Sequence, residues 1–311
     1  MQYRNLGNTG LRVSILGYGA ANLGGIYGPV DEAEAVRSVH LALDRGINLF
    51  DCSPYYGSTR AESVLGRALQ DVPRDRYLMA TKCGRYDVDA FDFSPGRIRR
   101  SLDESLQRLR TDHVDVFQLH DVEFGDLDRI LDESVATLHE LKRSGKVRFV
   151  GITGLPLAIF RRAVAAGARL DVVLSYCHNT LFDDTLLGLA TDLAREGIGV
   201  LCASPTGMGL LSPHGPPAWH PAPPVVREHC LRAVQHCLAH GVNPATLSMQ
   251  VATRDPRIAS TFCGTASTVE LDANLRAIEQ PPEPTLLHEV QQILAPIRNL
   301  TWVQGRPENQ R

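Results

Sequence analysis

Short apolar runs alternate with amphipathic stretches along nearly the whole chain. The runs are Ile15–Tyr18, Ile47–Asp51, Leu78–Lys82, Val114–Leu119, Phe149–Thr153, Val172–Ser175, Val200–Ser204 and Ala259–Cys263. They are rich in Val, Ile and Leu and mostly lack polar alternation, as strands covered on both faces should be. Between them the pattern becomes helical. Asp31–Arg45 puts Ala33, Val36, Val39, His40 and Leu43 at helical spacing and stops at Gly46. Ser94-Pro95 opens a helix through Leu109, with serine as cap and proline in the first turn. Leu127–Ser144 stops at Gly145, and Asp183–Glu196 stops at Gly197. Eight strand-then-helix units in 311 residues predict an α/β protein with a closed (β/α)8 TIM barrel, one domain over residues 1–311. No G-x-G-x-x-G follows the first strand, which counts against an open dinucleotide-binding sheet.

Three segments stand outside the repeat. Leu6–Leu11 reads as a hairpin turn ahead of the first strand, a plug for the barrel bottom. Gly207–Pro224 is a long Gly- and Pro-rich loop carrying His214, Trp219 and His220, and such loops inside a domain are usually functional. Pro281–Arg311 is a tail with one helix, Thr285–Leu294, followed by Leu300-Thr301-Trp302.

Composition narrows the setting. A net charge of −3 without a basic stripe argues against nucleic acid as a partner. The apolar runs are strand-sized, so no membrane span is expected, and the N-terminus shows no charged-then-apolar signal segment. Seven scattered cysteines, an odd number with no C-x-x-C, fit reduced thiols in a cytoplasmic protein better than a disulfide framework or a metal site. The expected state is a monomer or weak homo-oligomer.

The chemistry lies where the runs end. The second stops at Asp51, with Tyr56 shortly after; the third stops at Lys82; the fourth is followed by His120. In a parallel barrel these positions share one rim. A phenol beside an ammonium, with a carboxylate to hold the ammonium and an imidazole to orient a substrate oxygen, makes a proton-transfer site. Singly, each residue has a plainer reading as a turn cap, strand-end lysine, packed tyrosine or core histidine; jointly they point to catalysis. The protein has no hydride acceptor of its own, so a nicotinamide is implied.

The stretch Asn48–Gly57, with D-x-x-x-x-Y-G, then Thr81-Lys82, Leu119-His120, Gly151-Ile152-Thr153 and Ser204-Pro205, resembles the aldo-keto reductase superfamily over essentially the whole chain. The resemblance implies a catalytic tetrad of Asp51, Tyr56, Lys82 and His120, and a barrel binding NAD(P) in extended form. Within the superfamily the chain is most similar to the aldose 1-dehydrogenases, through Ala80–Tyr86, Gly151–Pro156, Leu174–His178, Gly215–Pro221 and Asn299–Trp302. That implies oxidation of the C1 hydroxyl of an aldose to its lactone, with L-galactose the first substrate to expect. L-Fucose or D-threo-aldose oxidation, NADPH-linked aldehyde reduction, and a slow-turnover redox-sensing module stay open as alternatives.

The family's adenosine-phosphate pattern K-S-x-x-x-x-R-x-x-E-N, set with its last residue on Asn274, puts Gly264, Thr265 and Glu270 at the Lys, Ser and Arg positions. A carboxylate repels a 2′-phosphate but accepts from a 2′-hydroxyl, so NAD is expected over NADP. Glu270 also reads simply as a first-turn helix acid. The amides of Ala266 and Ser267 are expected to meet phosphate. Ser204, Gly207 and Gly209 should line the pyrophosphate, and Ser175 the nicotinamide. The family's Ser-Asn pair reads Thr153-Gly154 here, and its stacking aromatic is Ala203. Substrate contacts are expected from Tyr55, Arg85, Asp121, Phe124, His178, Asn179, Trp219 and His220, with Trp219 and His220 equally readable as tail-packing residues.

Overall fold

The computed structural model describes residues 1–310. Strands β1 (Tyr3–Asn5) and β2 (Arg12–Ser14) form an antiparallel hairpin. Then β3 (Leu16–Gly19), β4 (Leu49–Asp51), β5 (Leu78–Cys83), β6 (Val114–Leu119), β7 (Val147–Gly154), β8 (Val172–Tyr176), β9 (Gly199–Ala203) and β10 (Ser260–Gly264) follow. These eight are parallel and pair in sequence, and β10 returns to β3 to close the barrel. They are the eight expected strands, with every end within two residues of its expected place.

The helices begin and end for local reasons. Asp31 accepts from the amides of Ala33 and Glu34 to start Glu32–Asp44. Ser94 accepts from Arg97 N at the start of Pro95–Leu109. The expected Leu127–Ser144 helix is interrupted by a π-turn at Ile130–Ser134. Helices Arg60–Leu69, Leu157–Ala165, Thr185–Arg195, Pro224–Ala239, Pro244–Ala252, Thr268–Ala277 and Pro284–Leu294 cover the rest of the barrel. Among the described residues no helix is long and apolar enough to cross a membrane.

Strand alternation decides which side chains face inward. Leu49, Ala80 and Val116 belong to the inner cluster, while Phe50, Met79 and Phe117 pack outward under the helices. Two residues above the inner set come Asp51, Lys82 and Gln118, all inward and all at the C-terminal rim. The hairpin closes the other end, where Leu6, Leu11 and Val13 join the same inner cluster. Arg4 fixes the hairpin by donating to the carbonyls of Thr253, Asp255 and Ile258 at 2.6–2.7 Å. Truncating fully buried Leu6 to alanine should cost about 2–5 kcal/mol.

The tail does two things. Its helix Pro284–Leu294 packs on Pro224–Ala239, with Trp302 buried in the same cluster. Residues 305–310 then return to the mouth. Asn309 Nδ2 donates to the carbonyls of Glu123 (2.9 Å) and Gly125 (3.0 Å), and Arg306 N donates to Glu123 (2.8 Å).

Candidate active site

Lys82 is 1 % exposed, a position a lysine holds only if its charge is matched. Its Nζ donates to Asp51 Oδ2, to the Cys52 carbonyl at 2.8 Å and to the Tyr56 hydroxyl at 3.3 Å. Three donors thus meet three acceptors. Tyr56 reaches this point because two loops touch backbone to backbone. A Cβ on Gly57 would lie 2.1 Å from Gly24 O, and one on Gly24 would lie 2.6 Å from Tyr56 O. Gly57 also has φ +61°, so glycine answers both the contact and the conformation.

The Tyr56 and His120 rings meet edge to face, with centroids 5.7 Å apart. Ser53 Oγ accepts from the Tyr55 amide (3.2 Å) and sits 3.0 Å from His120 Nδ1. When the Ser53 hydroxyl donates to Nδ1, the imidazole N–H is on Nε2, facing the mouth. Burial pushes His120 down to about 3, so the ring is neutral at physiological pH. Burial first, and the Asp51 charge second, push the Tyr56 phenol well above its ordinary value. A neighbouring ammonium by itself would favour the phenolate; here desolvation wins, and in the protein alone Tyr56 is a neutral phenol. Asp51 is also raised by burial, with Lys82 opposing.

A second cluster borders the first. Arg85 pairs with Asp121, donates to the Tyr55 hydroxyl at 3.2 Å and lies over the Tyr55 ring at 4.0 Å. Phe91 and Phe124 stack at 4.4 Å on its other side. Asp121 adopts a left-handed backbone (φ 53°), a strain of about 1–3 kcal/mol that functional sites often carry. Its amide is held by Thr153 Oγ1 at 3.0 Å. Glu123, wholly buried, accepts from Leu155 N at 3.0 Å and leaves Oε2 without a partner. Burial, then the Asp121 charge, raise it well above the carboxylate range.

The other expected substrate residues divide. Trp219 is half exposed, and its ring stands 6.0 Å from Tyr27 across the mouth. His220 is a loop anchor: Nε2 donates to Gly207 O (3.0 Å), Nδ1 accepts from Ala222 N (3.0 Å), and the ring packs edge-on against Trp302. Its tail-packing reading is the one that holds, since both nitrogens are used. His178 is tied to Asp183 and Thr185, and Asn179 to the Ala252 carbonyl. Neither bonds to the tetrad or the Arg85 cluster.

At the cofactor end, Ser267 and Glu270 line a pocket of about 210 Å³ with Ala266, Asn22, Tyr27 and Asp31. Ser175 Oγ is buried without a partner at the end of β8, the state expected of a group awaiting a ligand amide. Gly207 and Gly209 are left-handed turn glycines, Ser204 is left-handed as well, and a Cβ on Gly264 would strike Asn22 Oδ1. These features fit an extended dinucleotide. The start of helix Thr268–Ala277 departs from expectation. Thr265 Oγ1 accepts from Ser267 N, Ser267 Oγ from Glu270 N, and Glu34 Oε1 from Thr268 N. The Ser267 amide is thus spent within the protein rather than free for phosphate. Thr265 also donates to Glu270 at 2.7 Å, and Asn274 Nδ2 lies 2.9 Å from Cys263 Sγ. Glu34 was not foreseen; it is 234 residues from Thr268 in sequence, and no local pattern marks it.

A family model described as Aldo/keto reductase family matches residues 15–294. The chain is 46 % identical over 317 aligned residues to L-galactose dehydrogenase of Arabidopsis thaliana, covering 99 % of each. It is 34 % identical over 256 residues to D-arabinose 1-dehydrogenase of Saccharomyces cerevisiae, covering 77 % of this chain and 75 % of that one. The holo form of aldo-keto reductase AKR11C1 from Bacillus halodurans superposes over the full length of both chains with a TM-score of 0.80, a likeness of fold at 24 % identity. The chain belongs to the aldo/keto reductase family, oxidoreductases acting on CH–OH or carbonyl groups.

Proposed function

We propose that the protein is an NAD-linked aldose 1-dehydrogenase that converts the C1 hydroxyl of a pyranose, L-galactose foremost, to the aldonolactone. The observation that carries this reading is the buried Lys82, placed between Asp51 and Tyr56 beside a neutral His120. The near full-length likeness to an L-galactose dehydrogenase supplies the substrate class.

The steps assigned to the chain are these. Arg85, Asp121 and Tyr55 hold sugar hydroxyls. His120 Nε2–H donates to the C1 oxygen and orients it. Tyr56, deprotonated with Lys82 donating to its oxygen, takes the C1 hydroxyl proton. Asp51 keeps Lys82 charged and aimed. A nicotinamide, when bound, would supply the hydride acceptor: the C1 hydrogen leaves as hydride, the hydroxyl proton goes to Tyr56, and C1 is left as the lactone carbonyl. Because burial keeps the resting phenol protonated, the oxidative direction needs Tyr56 to lose its proton first.

The preference for NAD rests on two carboxylates. Glu270 stands where the family pattern has arginine, and Glu34 caps the same helix start. Hydrogen bonds from the Thr268 hydroxyl and amide, with Arg37 behind, hold Glu34 at about 2, so it is ionised at any working pH. A 2′-phosphate would meet the Glu270 carboxylate in the pocket, with Glu34, paired to Arg37, behind the same helix start; a 2′-hydroxyl meets an acceptor. The test is NAD reduction measured against a panel of L- and D-aldoses. L-Galactose turned over with NAD supports the reading. Aromatic aldehydes reduced with NADPH, and no aldose oxidised, would overturn it.

A further inference from the structure

We propose that His236, His240 and Glu289 form a surface site for a divalent transition-metal ion of the zinc type, which clasps the tail helix to the barrel. The two histidines lie one turn apart near the end of helix Pro224–Ala239, and Glu289 comes from helix Pro284–Leu294, packed against it. A His pair at i, i+4 presents both rings on one helix face. A carboxylate from the neighbouring helix completes three ligands of the kind that zinc, copper or nickel prefer and magnesium or calcium do not.

The details fit a site more closely than a chance surface cluster. One ligand atom from each of the three residues lies within 4.8 Å of the others. His236 Nε2 is 2.8 Å, and His240 Nε2 3.9 Å, from the same atom, Glu289 Oε2. In a tetrahedral site with bonds of about 2.0–2.2 Å, ligand atoms stand about 3.4 Å apart. The two observed separations fall either side of that value, so a shift of about half an ångström in one flexible carboxylate equalises them. The second ring is also set in advance. His240 Nδ1 lies 2.9 Å from the His236 backbone carbonyl, an oxygen that can only accept. The proton is therefore on Nδ1, and the lone pair is on Nε2, facing Glu289. A second bond of this sort is how proteins orient metal-ligating imidazoles. The side chains are 28 %, 50 % and 43 % exposed, which leaves room for water as a fourth ligand and gives an ion direct access.

The position gives the ion a structural consequence. Helix Pro224–Ala239 directly follows the Gly207–Pro223 loop, and the tail carries Trp302 onto His220 of that loop. A metal bridge would hold both ends of this arrangement in register without touching the tetrad. The plainer alternative is the His236–Glu289 hydrogen bond acting alone, a solvent-screened contact that adds little.

The experiment uses the full chain without a polyhistidine tag, stripped with chelator, and titrated with Zn²⁺ alone by calorimetry. Melting and Co²⁺ absorption spectra are recorded in parallel. One ion per chain, a rise in Tm of a few degrees, and a tetrahedral cobalt spectrum without a thiolate band are expected. His240→Ala and Glu289→Ala should each weaken binding by at least about 10-fold, the range seen when a ligand's supporting contacts are lost. Both variants should keep aldo-keto reductase turnover without added metal. Absence of binding at micromolar Zn²⁺, or binding undiminished in both variants, would overturn the proposal. A thiolate band in the cobalt spectrum would also overturn it, by assigning the ion to cysteine.

Discussion

Lys82 Nζ stands 3.3 Å from the Tyr56 hydroxyl while its other two hydrogen bonds go to Asp51 and the Cys52 carbonyl. No donor is left over, so the ammonium is aimed as well as buried. Lys82→Met removes the group that stabilises a phenolate at Tyr56 and strands Asp51 in a dry site. We expect kcat to fall by about 10²–10⁴-fold, the usual contribution of a positioned proton-transfer group. Unfolding stability should drop as well, by about 3–5 kcal/mol for a buried charge left alone. Steady-state rates and urea denaturation check both; loss of stability without loss of rate would leave Lys82 a structural residue only.

Burial sets the direction of the rate–pH profile. The resting Tyr56 is a neutral phenol, whereas oxidation of an alcohol needs it as a base. Aldose oxidation should therefore rise with pH from neutrality into the alkaline range, and carbonyl reduction, which uses the phenol as acid, should not. The profile of kcat/KM in both directions checks this.

His120 makes a prediction about stability rather than rate. Its folded value is about 3 and its unfolded value about 6.5. Between those values the unfolded chain binds a proton that the folded one refuses, so this group's contribution is complete above about pH 6.5 and is lost as pH falls towards 3. Denaturation midpoints measured across that window should show a slope that is shallower in His120→Gln.

The cofactor reading is tested by charge. Glu270→Arg alone leaves Glu34 at the helix start. The double variant Glu34→Gln, Glu270→Arg removes both carboxylates and adds a fork for phosphate. The ratio of kcat/KM for NADP over NAD should rise at least about 10-fold in the double variant, equivalent to about 1.4 kcal/mol, and by less in either single one. An unchanged ratio would show that the two carboxylates do not set the preference.

The parts that were legible in the sequence have local signatures. Eight apolar runs, the Leu6–Leu11 turn and the Ser94 cap each declare themselves within a few residues. Strand alternation then fixes Asp51 and Lys82 inward, so their meeting follows from the period alone. What was not legible depends on partners far apart in the chain. Asn309 binds the Glu123 carbonyl across 186 residues, and Glu34 binds Thr268 across 234. His178 and Asn179 sit on a rim loop by sequence, yet His178 Nδ1 is held by Asp183 and Thr185, and Asn179 Nδ2 by the Ala252 carbonyl. The protonation of Tyr56 is not legible for a related reason. The ammonium is visible as a neighbour in sequence pattern, but the depth of burial that outweighs it is a property of the folded barrel.

The most direct test of the account is Tyr56→Phe. The substitution keeps the ring against His120 and removes one oxygen. We expect kcat for NAD-linked L-galactose oxidation to fall by at least about 10³-fold, within the range for loss of a general base, while NAD affinity measured by fluorescence titration stays near that of the wild type. Turnover within a few-fold of the wild type would contradict the assignment of Tyr56 as the proton acceptor, and with it the role given to Lys82 and Asp51.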